Sequence, residues 1–394
     1  MNLTYVLGNG MDLQLGLPTS FFDFYKWAEK NNKENMFLPH TYEEKNIDDW
    51  ADYETVLINI FNDYLILYSE YDKELNFPKY LDIYTEQLDK HKNETLSKDK
   101  VEFFSFLVDQ VDNVSTVLEE YLLVIDNKVK NIKDVEATFV KIKERLLYID
   151  KFFQANTRQR DRIDAYISKF NSMQRRINII TLNYTCTSEM LYYAFKSSED
   201  VIINKKPLIF HNANKLLYLH GRLTSPQWSE GITIGVHSTD EIDENYRDLE
   251  DAKYLAKSVK MSDIIGSKVY KNATEILSDN GNIIICYGVS FGKSDKALLA
   301  AVVNKARKNK ALIIFYEYVQ KNNGNTLPRT VRHLKKRILN KIYSSFSDLT
   351  DEEKENINNN LIAIPIDDNK NLIPNELRLF DYTPENNQNK EPII

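Results

Sequence analysis

Between Gly16 and Gly221 the chain contains no glycine, and between Pro78 and Pro207 it contains neither glycine nor proline. A stretch this long without the two residues that most strongly interrupt helices is expected to fold as long helices. Within it, Val101, Phe104, Val108, Val111, Ser115, Leu118, Leu122, Ile125 and Val129 recur at alternating steps of three and four residues. That spacing lays one apolar seam along a helix, with Ser115 as its polar member. Trp50 to Leu67, Asp134 to Ala155 and Asp161 to Arg175 predict further helices. Such seams serve packing within the chain or contact with a second copy, and intramolecular packing is the simpler reading.

On either side of this block the pattern changes to short β-branched and aromatic runs: Leu3 to Leu7, Ile177 to Leu182, Leu216 to Leu219, Asn282 to Tyr287, Ala311 to Tyr316 and Leu361 to Ile366. Most are separated by helical sequence, as in parallel βαβ units. The expected architecture is therefore α/β, a doubly wound, Rossmann-like parallel sheet with a large α-helical insertion between its first and second strands. Residues 1–40 and 177–370 are assigned to the α/β nucleotide-binding part and 41–176 to the insertion. Residues 371–394 form an Asn- and Pro-rich tail, of which Leu377 to Tyr382 can dock.

Composition narrows the function classes. Two cysteines, Cys186 and Cys286, stand far apart in 394 residues, which provides neither a disulfide framework nor a sulfur-rich zinc site. Without a secretory leader pattern or a membrane-length apolar run, a cytoplasmic protein is expected. The net charge of -7 is spread along the chain, so nucleic acid is not a favoured partner. The basic stretches Lys305 to Lys310 and Arg329 to Lys341 read as solvated helix faces, and His237 with Asp240, Asp243 and Glu244 reads as a solvent loop rather than a metal site.

The opening YVLGNGMDLQLGLPTSFF, residues 5–22, reads as strand, glycine turn and helix, with Gly8 to Gly16 as the turn and Thr19 or Ser20 as the cap of a helix to Lys30. Glycines at a strand's carboxyl end let a ligand approach the backbone, or serve the turn alone. Leu13 stands where the dehydrogenase fingerprint needs its third glycine, which disfavours hydride transfer. YGVSFGKSD, residues 287–295, has three residues between Gly288 and Gly292 where a P-loop needs four. It still marks a strand end, with Ser294 or Asp295 available to cap the next helix. Asn183 ends a third strand, before a helix that Thr187 or Ser188 can cap, and His220-Gly221 ends a fourth. In chain order the four ends are Gly-Asn-Gly, Asn-Tyr, His-Gly and Gly-x-Ser, and they are expected to converge at one edge of one sheet.

This ordered set resembles the sirtuin-like NAD-binding fold in its GNGMD with GLP, TLNY, LHG and YGVS segments. The whole chain is similar to the AbiH family of bacteriophage abortive-infection proteins, through GNGMDLQLGLPTSFFDF, WADYE at 50–54, TLNYTCTSEMLY, LHGRL, IGVHSTDE at 234–241 and CYGVSFGKSD. Asp12, Asn9 and Thr185 depart from the usual sirtuin-like residues, and the four cysteines of the sirtuin zinc module are lacking, so no metal is expected. The resemblance implies antiphage defence with NAD as substrate or ligand. Hydrolysis to nicotinamide and ADP-ribose would use Asn183 to orient water or a ribose hydroxyl, His220 as general base on the ribose hydroxyls, and Asp12 to hydrogen-bond ribose or nicotinamide and to stabilise developing positive charge. Gly8 and Gly10 would admit the diphosphate and Ser290 would contact the adenosine side, with Asn9, Gly16, Pro18, Thr181, Tyr184, Gly288 and Asp295 completing the pocket. Two other readings stay open: a non-catalytic NAD or ADP-ribose sensor, and a defence nuclease or nucleic-acid-binding toxin. An off-state is required of any enzyme that destroys NAD, with a phage-derived trigger, and the insertion is the candidate for that control or for homo-oligomerisation.

Overall fold

Five parallel pairings build the sheet. In the computed structural model, which describes residues 2–33, 37–38, 50–69, 100–147, 157–169, 176–196, 200–203, 206–209, 213–223, 232, 234–235, 239–256, 267–278, 282–291, 295–318, 327–366, 373 and 375–380, the chain opens with β1 (Asn2–Leu7). Helices α1 (Gly10–Gln14), α2 (Phe21–Lys30), α3 (Trp50–Ser69), α4 (Lys100–Lys130), α5 (Val135–Leu147) and α6 (Thr157–Ser168) then precede β2 (Arg176–Thr181). Next come α7 (Thr187–Lys196), a hairpin of β3 (Asp200–Ile203) and β4 (Lys206–Ile209), β5 (Ala213–Tyr218), α8 (Glu250–Leu255) and α9 (Ser267–Ser278). Finally β6 (Asn282–Tyr287), α10 (Lys296–Arg307), β7 (Ala311–Tyr318), α11 (Leu327–Ser345), α12 (Asp351–Asn360) and β8 (Leu361–Ile366) complete the order.

The six long strands lie in the order β5-β2-β1-β6-β7-β8, with every pairing parallel. This is the order of two mononucleotide-binding halves meeting between β1 and β6, the point where the winding reverses. Register aligns the strand ends: Leu7 faces Thr181 on one side and Tyr287 on the other, and Thr181 faces Tyr218. The four turns singled out in the sequence therefore leave the sheet side by side.

Alternation along the strands divides the core, because successive side chains point to opposite faces. Leu3, Tyr5, Leu7, Ile179, Ile285 and Ile314 pack into one cluster with the α2, α3, α4 and α5 side chains. Val6, Ile180, Ile284, Cys286 and Ile313 pack on the other face with α9, α10, α11 and α12. The seam of α4 is thus used within the chain: Phe104, Val108, Val111, Leu118, Leu122, Ile125 and Val129 are buried in the first cluster. Val101 is exposed and Ser115 half-buried, so the continuous seam starts at Phe104, not Val101.

Several local expectations change. The first glycine turn contains the short helix α1, and the β3–β4 hairpin is an addition. Ser20 caps α2 in a reciprocal box with Asp23, while the Thr19 hydroxyl donates to Asn9 Oδ1 at 2.7 Å. Thr187 and Ser188 direct their hydroxyls to Asp12 and Thr181 instead of capping α7. Of the docking tail, Ile373 and Leu377 are buried, and the Leu379 N–H donates to the Leu15 carbonyl at 2.7 Å. Residues 148–156, 170–175 and 381–394, His237 and Ser294 lie outside the described residues. No described helix is long and apolar enough to cross a membrane.

The helical segment is also tied to the sheet by a polar link. Asp126 of α4, 1% exposed, accepts the Cys186 N–H at 2.6 Å, and Lys130 holds its other oxygen at 2.6 Å. Asp126→Ala strands that buried N–H, so urea unfolding is expected to show a loss of about 1–3 kcal/mol. Asp126→Asn, which keeps an acceptor, should lose less.

Candidate functional site at the strand ends

The first and fourth turns meet through bare backbone. Gly8 N–H donates to the Tyr287 carbonyl at 3.0 Å, and Gly10 N–H to the Gly288 carbonyl at 3.1 Å. A Cβ at Gly8 would lie 2.3 Å from the Gly288 oxygen, and one at Gly10 2.5 Å from the Gly288 Cα. Gly288 has φ +64, and its own Cβ would lie 2.6 Å from the Gly10 Cα. These contacts by themselves require glycine at 8, 10 and 288. With the Met11 N–H donating to the Gly8 carbonyl at 2.9 Å, the Gly8, Gly10 and Met11 N–H groups are engaged by the protein. Gly16, at φ +79, would place a Cβ 2.2 Å from the Phe380 oxygen, so its requirement arises from the docked C-terminal segment.

Around this contact the turn is closed by its neighbours. Asn9 Nδ2 donates to the Thr19 carbonyl at 2.9 Å, and Tyr121 of α4 donates to the Pro18 carbonyl. Asp12, 1% exposed, accepts from Thr187 at 2.6 Å and from Thr185 at 2.7 Å. Burial pushes its carboxyl up to about 6 despite these two bonds, and the nearby Asp126 charge adds to the rise. Thr185, which departs from the sirtuin-like pattern, is thus one of the hydroxyls that hold Asp12.

At the end of β2, Thr181 Oγ1 accepts the Asn183 N–H at 3.0 Å and the Ser188 hydroxyl at 2.8 Å. Thr181 therefore shapes the turn that aims Asn183. The Asn183 side chain lies close enough to Asp12 to lower its carboxyl, as the smallest of the influences on it, yet no contact between the two meets the distance and angle of a hydrogen bond. Asn183 is 3% exposed, and neither Oδ1 nor Nδ2 of its amide has a hydrogen-bond partner among the described residues. An amide buried in that state costs folding free energy on the order of 1–3 kcal/mol, which marks it as a position where binding a ligand would repay the cost.

His220, at the end of β5, points Nε2 at Asp295 Oδ1, 3.2 Å away, and its ring lies 6.2 Å from that of Tyr184. Asp295 occupies the N-cap position of α10 but makes no capping bond with its side chain. Ser290 is exposed on the turn after β6, where Lys341 holds its carbonyl, and no contact brings it to the histidine.

Two residues of the site were not singled out from sequence. Glu54 of α3 is buried, and its charge together with that of Asp295 pushes the half-buried Tyr184 phenol up, after desolvation itself. Asp126 approaches from α4. The helical segment thus brings two carboxylates to the strand ends. Their sequence signals were an acid inside the WADYE segment and an acid at the edge of the α4 seam. Among the described residues the buried charged side chains are four acids, Asp12, Glu54, Asp126 and Asp295, and one base, Lys143. No group of three His, Cys, Asp or Glu among the described residues could hold a metal ion. Asp243, from the acidic loop, closes its own turn by accepting the Asn245 N–H at 2.9 Å.

The family model described as bacteriophage abortive infection AbiH matches residues 4–318, from within β1 to the last residue of β7. No curated protein matches the sequence.

Two outcomes follow from this geometry. Gly10→Ala should lower stability by about 1–3 kcal/mol, read from the urea midpoint, because the Cβ meets backbone that has no rotamer to yield. The folded protein holds the Asp12 proton up to about pH 6, whereas the unfolded chain releases it near about pH 4. The folded state binds more protons in that window, so this group's contribution to stability falls as pH rises from about 4 to 6, by up to about 3 kcal/mol. Asp12→Asn is expected to flatten that slope in urea titrations, and parallel pH profiles would count against it.

Proposed function

The chain belongs to the AbiH family of bacteriophage abortive infection proteins, and on that premise we propose that it defends against phage by hydrolysing NAD to nicotinamide and ADP-ribose in a sirtuin-like fold. The observation that carries the reading is the unpaired, buried amide of Asn183 together with the His220–Asp295 pair, all following the carboxyl ends of strands in one sheet with dinucleotide-binding strand order. In this reading the nicotinamide ribose lies toward Asn183 and His220. The diphosphate lies over the corner that Gly8, Gly10 and Gly288 keep free of side chains.

The bond to be broken joins the ribose C1′ to a cationic ring nitrogen. Its electron pair leaves with neutral nicotinamide, so no acid is needed, and the protein's task is to stabilise positive charge on the sugar. The buried carboxylates suit that task. Asn183 orients a water that forms the new C1′–O bond, and His220 accepts the proton that is released. Glu54 and Asp126 extend the part played by the helical segment, from a candidate control element to one that shapes the site.

A second reading, a non-catalytic sensor of NAD or ADP-ribose, is favoured by one observation. Both Asp12 oxygens accept from threonines, and Asp12 is 1% exposed, so it meets substrate only after those bonds open. The same closure supplies the off-state that a NAD-destroying enzyme requires. Purified protein incubated with NAD is expected to release nicotinamide when lysate of phage-infected cells is added, and little or none alone. Asn183→Ala and His220→Ala should each reduce that release about a hundredfold or more. Binding of NAD or ADP-ribose without release would instead support the sensor, and absence of binding would defeat both.

A further inference from the structure

We propose that Asp295 is a positioning residue that fixes the tautomer and aim of His220, so that Nδ1 is the nitrogen acting on the substrate. This inference rests on the reading of the strand ends as a site of NAD hydrolysis and assigns the proton-handling atom within it. A neutral imidazole carries one N–H, and the hydrogen bond made by one nitrogen decides which nitrogen keeps its lone pair. Here the acceptor is fixed: Asp295 Oδ1 lies 3.2 Å from Nε2, with the two side chains 12% and 9% exposed. In the neutral imidazole this contact favours the tautomer that carries its proton on Nε2, facing the carboxylate. Nδ1 has no hydrogen-bond partner among the described residues.

The orientation of Asp295 is not a by-product of helix capping. An aspartate at an N-cap ordinarily accepts an N–H of the first turn, a bond contributing about 1 kcal/mol. Asp295 stands at that position on α10, forgoes the bond and turns its carboxylate toward the end of β5. The sheet order makes this reach possible, because β5 and β6 flank the β2–β1 pair and release His220 and Asp295 at the same edge. During hydrolysis one proton passes from the attacking water to Nδ1. The imidazolium so formed keeps Nε2–H on Asp295, whose charge stabilises it, and the Nδ1 proton passes to solvent after nicotinamide has left. No proton is transferred to Asp295.

The test uses the full chain with ¹⁵N-labelled histidine, His220 being assigned by the signal lost in His220→Gln. Nitrogen shifts of neutral His220 are expected to place the proton on Nε2 in the wild type and to show both tautomers in Asp295→Ala. A proton on Nδ1 in the wild type, or an unchanged tautomer in a folded Asp295→Ala, would overturn the proposal. In nicotinamide release, Asp295→Asn is expected to lower kcat about a hundredfold, with KM held within about threefold. Asp295→Glu should recover part of kcat, and equal rates for Asp295→Asn and the wild type would also overturn the proposal. If the wild type releases no nicotinamide, the hydrolase reading fails, and the tautomer still decides whether Asp295 positions the histidine.

Discussion

Two turns leaving adjacent parallel strands, one winding the chain to the left of the sheet and one to the right, ordinarily leave a crevice between them. Here they touch, through Gly8, Gly10 and Gly288, at distances that no side chain would permit. Because the register holds Leu7 level with Thr181 and Tyr287, and Thr181 level with Tyr218, this contact fixes the level from which Asn183, His220 and Asp295 project. The glycines are thus required by the fold before any ligand is considered. A diphosphate held above them would use a corner free of Cβ atoms, not the N–H groups that a dinucleotide fingerprint normally offers.

The helical segment between β1 and β2 is bound to that edge rather than appended to it. Its α4 seam belongs to the same apolar cluster as one face of the sheet. Two polar links, Asp126 to the Cys186 N–H and Tyr121 to the Pro18 carbonyl, and one aromatic contact, Tyr53 stacked on Phe21 at 4.3 Å, then set the alignment. Asp126 raises the Asp12 carboxyl, and Glu54 raises the Tyr184 phenol. A displacement of α3 or α4 would therefore change the charge environment of the strand ends, which gives a physical route from the helical segment to the site's state.

The buried strands were legible in sequence because a parallel strand covered on both faces reads as an unbroken β-branched run. Asn282–Tyr287 and Leu361–Ile366 match the expected bounds. The β3–β4 hairpin was not legible, since two four-residue strands around Pro207 carry too little pattern. Convergence of the four strand ends followed from topology, but the partners of their side chains did not. Nothing local pairs His220 with Asp295, and an aspartate before a helix reads first as a cap. Glu54 and Asp126 were hidden because an acid within an apolar helix reads as an edge of the solvent face until tertiary packing buries it.

The nucleotide site proposed here spans the carboxyl ends of β1, β2, β5 and β6. A crystal structure with ADP-ribose tests it most directly. The terminal ribose is expected against Asn183 and His220, with the diphosphate above the Gly10–Gly288 contact. ADP-ribose bound elsewhere, or absent from crystals soaked at saturating concentration, would contradict it.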